Sequence, residues 1–371
     1  MELEENLTIL IPDMKIAFIK FGGMAAGGTE KFLQTIASHL PKDKFEVDYF
    51  YTNGAPYIGS DHRHLDTDPS RVEYCKAHGV NCIPVHVGHK NVTVHTHDWI
   101  QTNLWDLFDE KNYDLIVSGR SGHPEYPFNL IFKTPIIDTI HLSGMAENKS
   151  NTYKTVLMSE EQRGKWIQAG GPSEKSMVIP PAVEIPEVEG SLEFKDYEHI
   201  FGMHQRENDG IFSDIPLLAY AKVESSDTMF LMLGGGNKYK NQAEQLGIKN
   251  IKFYPATGDV DAIHKFLNTL TVYAHGRKDG EQCSSAIIEA MSHGLPVISH
   301  SAPSMGQAAQ IGLAGAVVDN SDQYAAIMLM LMQDQEKYNE FSDEATRRYN
   351  ELFSMNAIID KYVELFEEAV C

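Results

Sequence analysis

The stretch GEQCSSAIIEAMSHGLPVIS (residues 280–299) sets one glutamate, Glu281, before a run of small residues and a second, Glu289, inside the apolar segment after it. With Ser284 or Ser285 as N-cap, Ile287, Ile288 and Met291 line up along a helix that ends at Gly294, with Pro296 just beyond it. Glu281 then stands on the loop in front of the helix, and Glu289 projects from within it. Amide N–H groups at the helix start lie between them, and such groups suit an anion. A sugar nucleotide presents that order of chemistry: sugar hydroxyls, a diphosphate, then ribose hydroxyls. Ionised carboxylates accept from hydroxyl pairs, each charge-assisted bond contributing about 1.5–3 kcal/mol. On spacing alone, a solvated loop charge and a surface helix charge fit as well.

The stretch closes on PVISH, the last of five short apolar runs in its half of the chain; the others are HIFGM from His199, TMFLMLGGG from Thr228, IKFYPA from Ile251 and LTVYAHG from Leu270. Turn formers end each run and helical patterns separate most of them. The first half repeats the alternation. MKIAFIKF from Met14 runs into FGGMAAGGTE and a helix carrying Phe32, Leu33, Ile36, Ala37 and Leu40, with Thr29 as its expected cap. FEVDYFY from Phe45, YDLIVSG from Tyr113 and PIIDTIHLSG from Pro135 come next. Strands alternating with helices predict parallel sheets covered on both faces, here an α/β chain of two Rossmann-like, doubly wound halves. We expect an extension at 1–13, a first domain at 14–183, a linker at 184–198, a second domain at 199–345 and a terminal helical segment at 346–371 that packs back on the first domain.

A chain of 371 residues is long enough for two cores. With 42% hydrophobic and 22% charged residues, no bilayer-length apolar run and no basic-then-apolar leader, it reads as a soluble, cytoplasmic protein without an integral membrane segment. A formal net charge of -21 argues against a nucleic-acid partner. Cys75, Cys82, Cys283 and Cys371 lack disulfide or metal spacing. Metal is the natural alternative, given His62, His64, His95, His97 and Asp98, but strong ligand spacings are absent and no metal is expected; DTD at 66–68 reads as a turn. Neither FGGMAAGGTE nor LGGGNKY is GxGxxG, which argues against a nicotinamide enzyme. Gly22 and Gly23 can simply turn the chain, whereas Gly27 and Gly28, directly before a helix, suit a phosphate or sugar.

EQCSSAIIEAMSHGLPVIS resembles the E-x7-E signature of retaining glycosyltransferases with the GT-B fold, especially glycosyltransferase family 4. MKIAFIKFGGMAAGGTEKFL is similar to that family's opening strand and GG-x-E loop, PIIDTIHLSG to its strand ending in a histidine, MVIPPAVE to its domain-closing strand, and FLMLGGG with IKFYPA to its middle strands. The resemblance implies two domains facing across a cleft. It also implies a nucleoside-diphosphate-sugar donor (UDP- or GDP-sugar), no prosthetic cofactor, and a glycan, lipid-linked or other hydroxyl acceptor. By position, Glu281 would bind donor-sugar hydroxyls and Glu289 the donor ribose. Backbone N–H groups around Cys283, Ser284 and Ser285 would hold the diphosphate or sugar, and Gly27 and Gly28 would approach from the other domain. His141 matches the family histidine near the donor sugar. Transfer would retain anomeric configuration by front-face attack, with no protein nucleophile and no metal.

The chain departs from the family where an Arg and a Lys usually come after the first strand of the second domain. FGMHQRENDG offers Arg206 at a shifted position and places Asp209 where the lysine would stand, leaving the second charge to Lys238, Lys240, Arg277 or Lys278. Gln282 and Cys283 also replace the usual Gly-Phe pair. A sugar-nucleotide epimerase or hydrolase on the same frame, or a donor-binding relative without turnover, are the alternatives.

Overall fold

The computed structural model describes residues 13–25, 27–54, 67–87, 102–119, 131, 133–140, 152–205 and 209–371. The chain divides into two compact units: Met1–Met158, Gln162–Ala182 and Ile358–Cys371 form one, and Ser159–Glu161 with Val183–Ala357 the other.

In the first unit the elements run β1 (Met14–Lys20), α1 (Gly28–His39), β2 (Phe45–Gly54), α2 (Pro69–Ala77), β3 (Asn81–Val87), α3 (Leu104–Leu107), β4 (Leu115–Ser118), β5 (Ile136–Ile140), β6 (Thr152–Leu157), α4 (Glu160–Gln168) and β7 (Ser176–Val178). The strands form one sheet in the order β3-β2-β1-β4-β5-β6-β7, every neighbouring pair parallel. β4 and β5 are buried along their whole length, as strands covered on both faces must be. NCIPVHV, not among the runs singled out in the sequence, is β3 and lies at the sheet edge, a position where a strand tolerates a proline such as Pro84.

The second unit continues with β8 (His199–Gln205), α5 (Ile215–Val223), β9 (Thr228–Gly234), α6 (Gly236–Leu246), β10 (Ile251–Tyr254), α7 (Val260–Leu267), β11 (Val272–Ala274), β12 (Gly280–Glu281), α8 (Ser285–Ser292), β13 (Val297–His300), β14 (Ser304–Met305), α9 (Gly306–Ile311), β15 (Gly315–Val318), α10 (Ser321–Gln333) and α11 (Gln335–Arg348). Its parallel sheet has the order β10-β9-β8-β11-β13-β15, and β12 pairs with β14 apart from it. A π turn at Tyr349–Phe353 leads into α12 (Met355–Val370). From Ile358 onward that helix belongs to the first unit, where Ile358, Ile359, Tyr362, Leu365 and Phe366 form its buried stripe. Tyr362 meets Phe32 edge-on, Phe366 meets Phe45, and Lys44 Nζ pairs with Glu367 at 2.8 Å.

Both sheets reverse direction of growth between their first and fourth principal strands, β1/β4 and β8/β11. Open α/β sheets bind ligands outside the carboxyl ends of the strands at that switch. In the second unit those ends carry His204 and Gln205, from β8, and His275, just past β11.

Beside them, Gly234 closes β9 with φ 86°, and a Cβ there would lie 1.9 Å from Gln205 O. Gly234→Ala should therefore cost about 2 kcal/mol or more, read as a fall in the urea midpoint at unchanged slope. An unchanged midpoint would show that the β9 turn relaxes freely.

Candidate functional site

Helix α8 starts where the spacing predicts. Ser284 is the N-cap in extended conformation, the C-cap is His293, and Gly294 turns the chain at φ 66° ahead of Pro296. One face packs Ile287, Ile288 and Met291 into the core, which leaves Glu289 half-buried toward the end of β8. There its Oε2 lies 2.7 Å from His204 Nε2. His204 is buried and is itself held by Tyr273, whose hydroxyl donates to His204 O at 3.2 Å and lies 3.3 Å from its Nδ1.

Glu281 does not sit on a loop: it is the second residue of β12, and pairing with β14 fixes its backbone. Arg277 Nη1 donates to its Oε1 at 2.5 Å, while Arg277 Nε donates to Asp279 at 2.9 Å. His275 Nε2 stands 3.7 Å from Glu281 Oε2, beyond hydrogen-bonding distance, with its Nδ1 2.8 Å from Ser299 Oγ. Glu281 Oε2 is buried and has no hydrogen-bond partner among the described residues. Burial works against its anion, but His275, the Ser284 hydroxyl and Arg277 outweigh it and hold the carboxyl at about 2. A buried, ionised carboxylate oxygen with no hydrogen-bond donor on it is a place for a hydroxyl.

Two expectations for this loop need correction. The Ser284 N–H does not face an open anion site; it donates to Gln310 Oε1 at 2.9 Å. The amides free of helical partners are those of the first turn, Ser285, Ala286 and Ile287, and Ser285 is exposed. Arg277, one of the cations considered for the diphosphate, is already balanced by the Asp279 and Glu281 carboxylates. Burial pushes the Cys283 thiol up, so any role of Cys283 falls to its backbone. Lys238 lies in the first turn of α6, 3.5 Å from Asp214 Oδ1 and 4.9 Å from the Phe212 ring centre. That helix starts from Gly234, Gly235 and Gly236, all with positive φ, a second amide-lined turn at the carboxyl edge of the same sheet.

In the first unit Gly27, not Thr29, caps α1, and a Cβ at Gly28 would meet nothing within 4 Å. Thr29 lies inside the helix, because the chain enters helical geometry as soon as Gly27 has passed. Gln34, fully buried, holds the glycine turn by donating to Gly23 O at 2.8 Å and Ala25 O at 3.0 Å. His141 and Arg206 lie outside the described residues, as do His62, His64, Asp66, His95, His97 and Asp98. Among the described residues, Glu198, His199 and Asp227 bring three ligating atoms within 4.8 Å of one another. They stand at the amino-terminal ends of β8 and β9, the opposite edge from Glu281 and Glu289. No helix of the described residues is long and apolar enough to cross a membrane.

Sequence reasoning missed His204, His275, Tyr273, Gln307 and Gln310. The first two had a signal, since each ends an apolar run, HIFGMH and LTVYAH, at strands that flank the switch. The glutamines had none.

A family model described as glycosyl transferases group 1 matches residues 213–348, the part of the chain that holds Glu281, α8 and Glu289. The second unit thus carries a segment of glycosyltransferase group 1 type, in line with the glycosyltransferase resemblance of its motifs. Among known proteins the chain is similar to O-antigen chain mannosyltransferase C of Escherichia coli, 22% identical over 279 residues that span 64% of this chain and 74% of that one. The fold matches a crystal structure of Anabaena HepE in complex with UDP, with TM-score 0.71, 18% identity and coverage of 96% and 100% of the two chains. It also matches sucrose-phosphate synthase from Thermosynechococcus elongatus, with TM-score 0.69, 14% identity and coverage of 96% and 98%. At these identities the solved structures speak for the GT-B fold alone.

Proposed function

We propose that this protein is a metal-independent, retaining glycosyltransferase of the family 4 type, moving a hexose from a nucleoside-diphosphate sugar to an acceptor hydroxyl. The observation that carries the reading is the buried, ionised Glu281 Oε2, without a hydrogen-bond partner among the described residues, set beside the open start of α8, the helix that bears Glu289. In this reading Glu281 accepts from donor-sugar hydroxyls, and Glu289, turned by His204, accepts from the ribose. The first-turn amides of α8, the glycine turn before α6 and Lys238 meet the diphosphate, so its charge is offset without a cation cofactor. Arg206 and His141 are assigned from their sequence positions to the leaving diphosphate and the donor sugar, and Gly27 and Gly28 to the donor.

The step is a front-face displacement. The bond from the anomeric carbon to the diphosphate oxygen breaks, the acceptor oxygen bonds to the same face, and the acceptor proton passes to the departing phosphate oxygen. No protein nucleophile is needed. The reading of the donor as a UDP- or GDP-hexose is supported by the mannosyltransferase name of one relative and by UDP in the HepE structure. The acceptor class is a glycan or lipid-linked hydroxyl, and the site of action the cytoplasm.

A panel of UDP-, GDP-, ADP- and TDP-sugars, scored by melting temperature and by released nucleoside diphosphate, tests this. A donor at about 100 times its Kd should add about 2.7 kcal/mol of stability, and Glu289→Ala should abolish that gain. No response to any sugar nucleotide would sink the reading. Sugar released to water even with acceptors present would turn it into a hydrolase.

A further inference from the structure

We infer that α9 is a positioning helix for the segment from Glu281 to Ser284, with Gln310 its principal brace; the functional consequence rests on the donor-binding role proposed for that segment. Three contacts, to the peptides of Glu281, Gln282 and Ser284, make the case. Gln307 is fully buried, and its carboxamide faces the Glu281 peptide in either orientation: Oε1 is 3.3 Å from Glu281 N, or, with the amide turned over, Nε2 is 3.1 Å from Glu281 O. Gly306 starts the helix so close to the next peptide that a Cβ would lie 1.9 Å from Gln282 O. Gln310, 4% exposed, pairs with Ser284 at two points, accepting from its N–H at 2.9 Å and donating to its O at 2.7 Å.

α9 is fixed in turn at its far end. Arg348 Nε donates to Gln310 O at 3.1 Å and Nη2 to Ala309 O at 2.6 Å, so carbonyls that a helix end leaves open are satisfied by a guanidinium. The path therefore runs from α11 through α9 into the backbone that starts α8. Its effect is to choose which amides an anion meets. The Ser284 N–H is withheld by Gln310, and the anion is offered the next amides of the first turn.

The test uses the full chain with Gln310→Met, which fills similar space without either hydrogen bond, and Gln310→Glu. Amide hydrogen exchange reads the brace without a ligand: in Gln310→Met the Ser284 amide should lose protection while the core strands β8 and β9 keep theirs. Binding of UDP and GDP by calorimetry should weaken by ~10-fold. In Gln310→Glu an ionised carboxylate opposes Ser284 O, whereas the protonated acid restores the donor and acceptor pair, so affinity relative to wild type should recover as pH falls from 8 to 6. Unchanged Ser284 protection in Gln310→Met, or nucleotide binding equal to wild type in both variants, would overturn the brace. Wild type that binds neither nucleotide would instead count against the UDP- or GDP-sugar donor, with hydrogen exchange still deciding the brace. Should Gln310→Met fail to fold, the pH response of Gln310→Glu decides.

Discussion

Glu281→Gln should lower kcat/KM for the donor about 10²-fold. Glutamine keeps the shape and one acceptor oxygen, but it replaces the second oxygen by an NH₂ that faces any sugar hydroxyl with the wrong polarity. The lost charge-assisted bonds are worth about 1.5–3 kcal/mol each, and each 1.4 kcal/mol is tenfold. The position is unforgiving because Oε2 is buried, so water cannot bridge a misfit cheaply. Steady-state kinetics on the donor found by the panel, with acceptor saturating, checks this. A loss below threefold would mean that Glu281 serves the fold and not the donor.

Arg277→Met should destabilise the second unit by about 2 kcal/mol near pH 7, because it strips a buried carboxylate of its guanidinium partner. The direction of the Glu281 shift sets the sign with pH. Its carboxyl is held at about 2 against an ordinary 4.5, so the unfolded chain takes up the proton first as pH falls. The stability this ionised carboxylate contributes, from His275 and the Ser284 hydroxyl as well as Arg277, is thus fully present above pH 4.5 and drains away as pH falls toward 2. Wild type and variant should therefore converge on acidification. Urea midpoints at pH 7, 5 and 3 measure it. A gap that stays constant down to pH 3 would assign the loss to packing of the arginine stem instead of its charge.

Much of the architecture was legible because buried parallel strands announce themselves as apolar runs, and MKIAFIK and TMFLMLG are buried almost without interruption. The parts that stayed hidden had a physical reason in each case. NCIPVHV carries a proline, tolerated at the sheet edge, GAVV is short and half-buried at the other sheet's edge, and β12 and β14 are two residues each. At the site, the frame of α8 was written in Ser284, Gly294 and Pro296, whose cap and turn preferences are local. The partners that hold this segment were not, since His204 lies 85 residues from Glu289 and Gln310 lies 26 from Ser284.

By itself, then, the chain's order of apolar runs and turn residues determined two doubly wound halves and a helix with Glu281 before it and Glu289 within it, because period, capping and burial are read over a few neighbouring residues. Only the tertiary structure decided which groups those glutamates face. It brought His204 from β8 to Glu289, divided Arg277 between Asp279 and Glu281, and drew Gln310 across to the Ser284 peptide. Such contacts arise where separate strands and loops end at one edge of a sheet, and side-chain charge there is set by what the fold delivers from a distance.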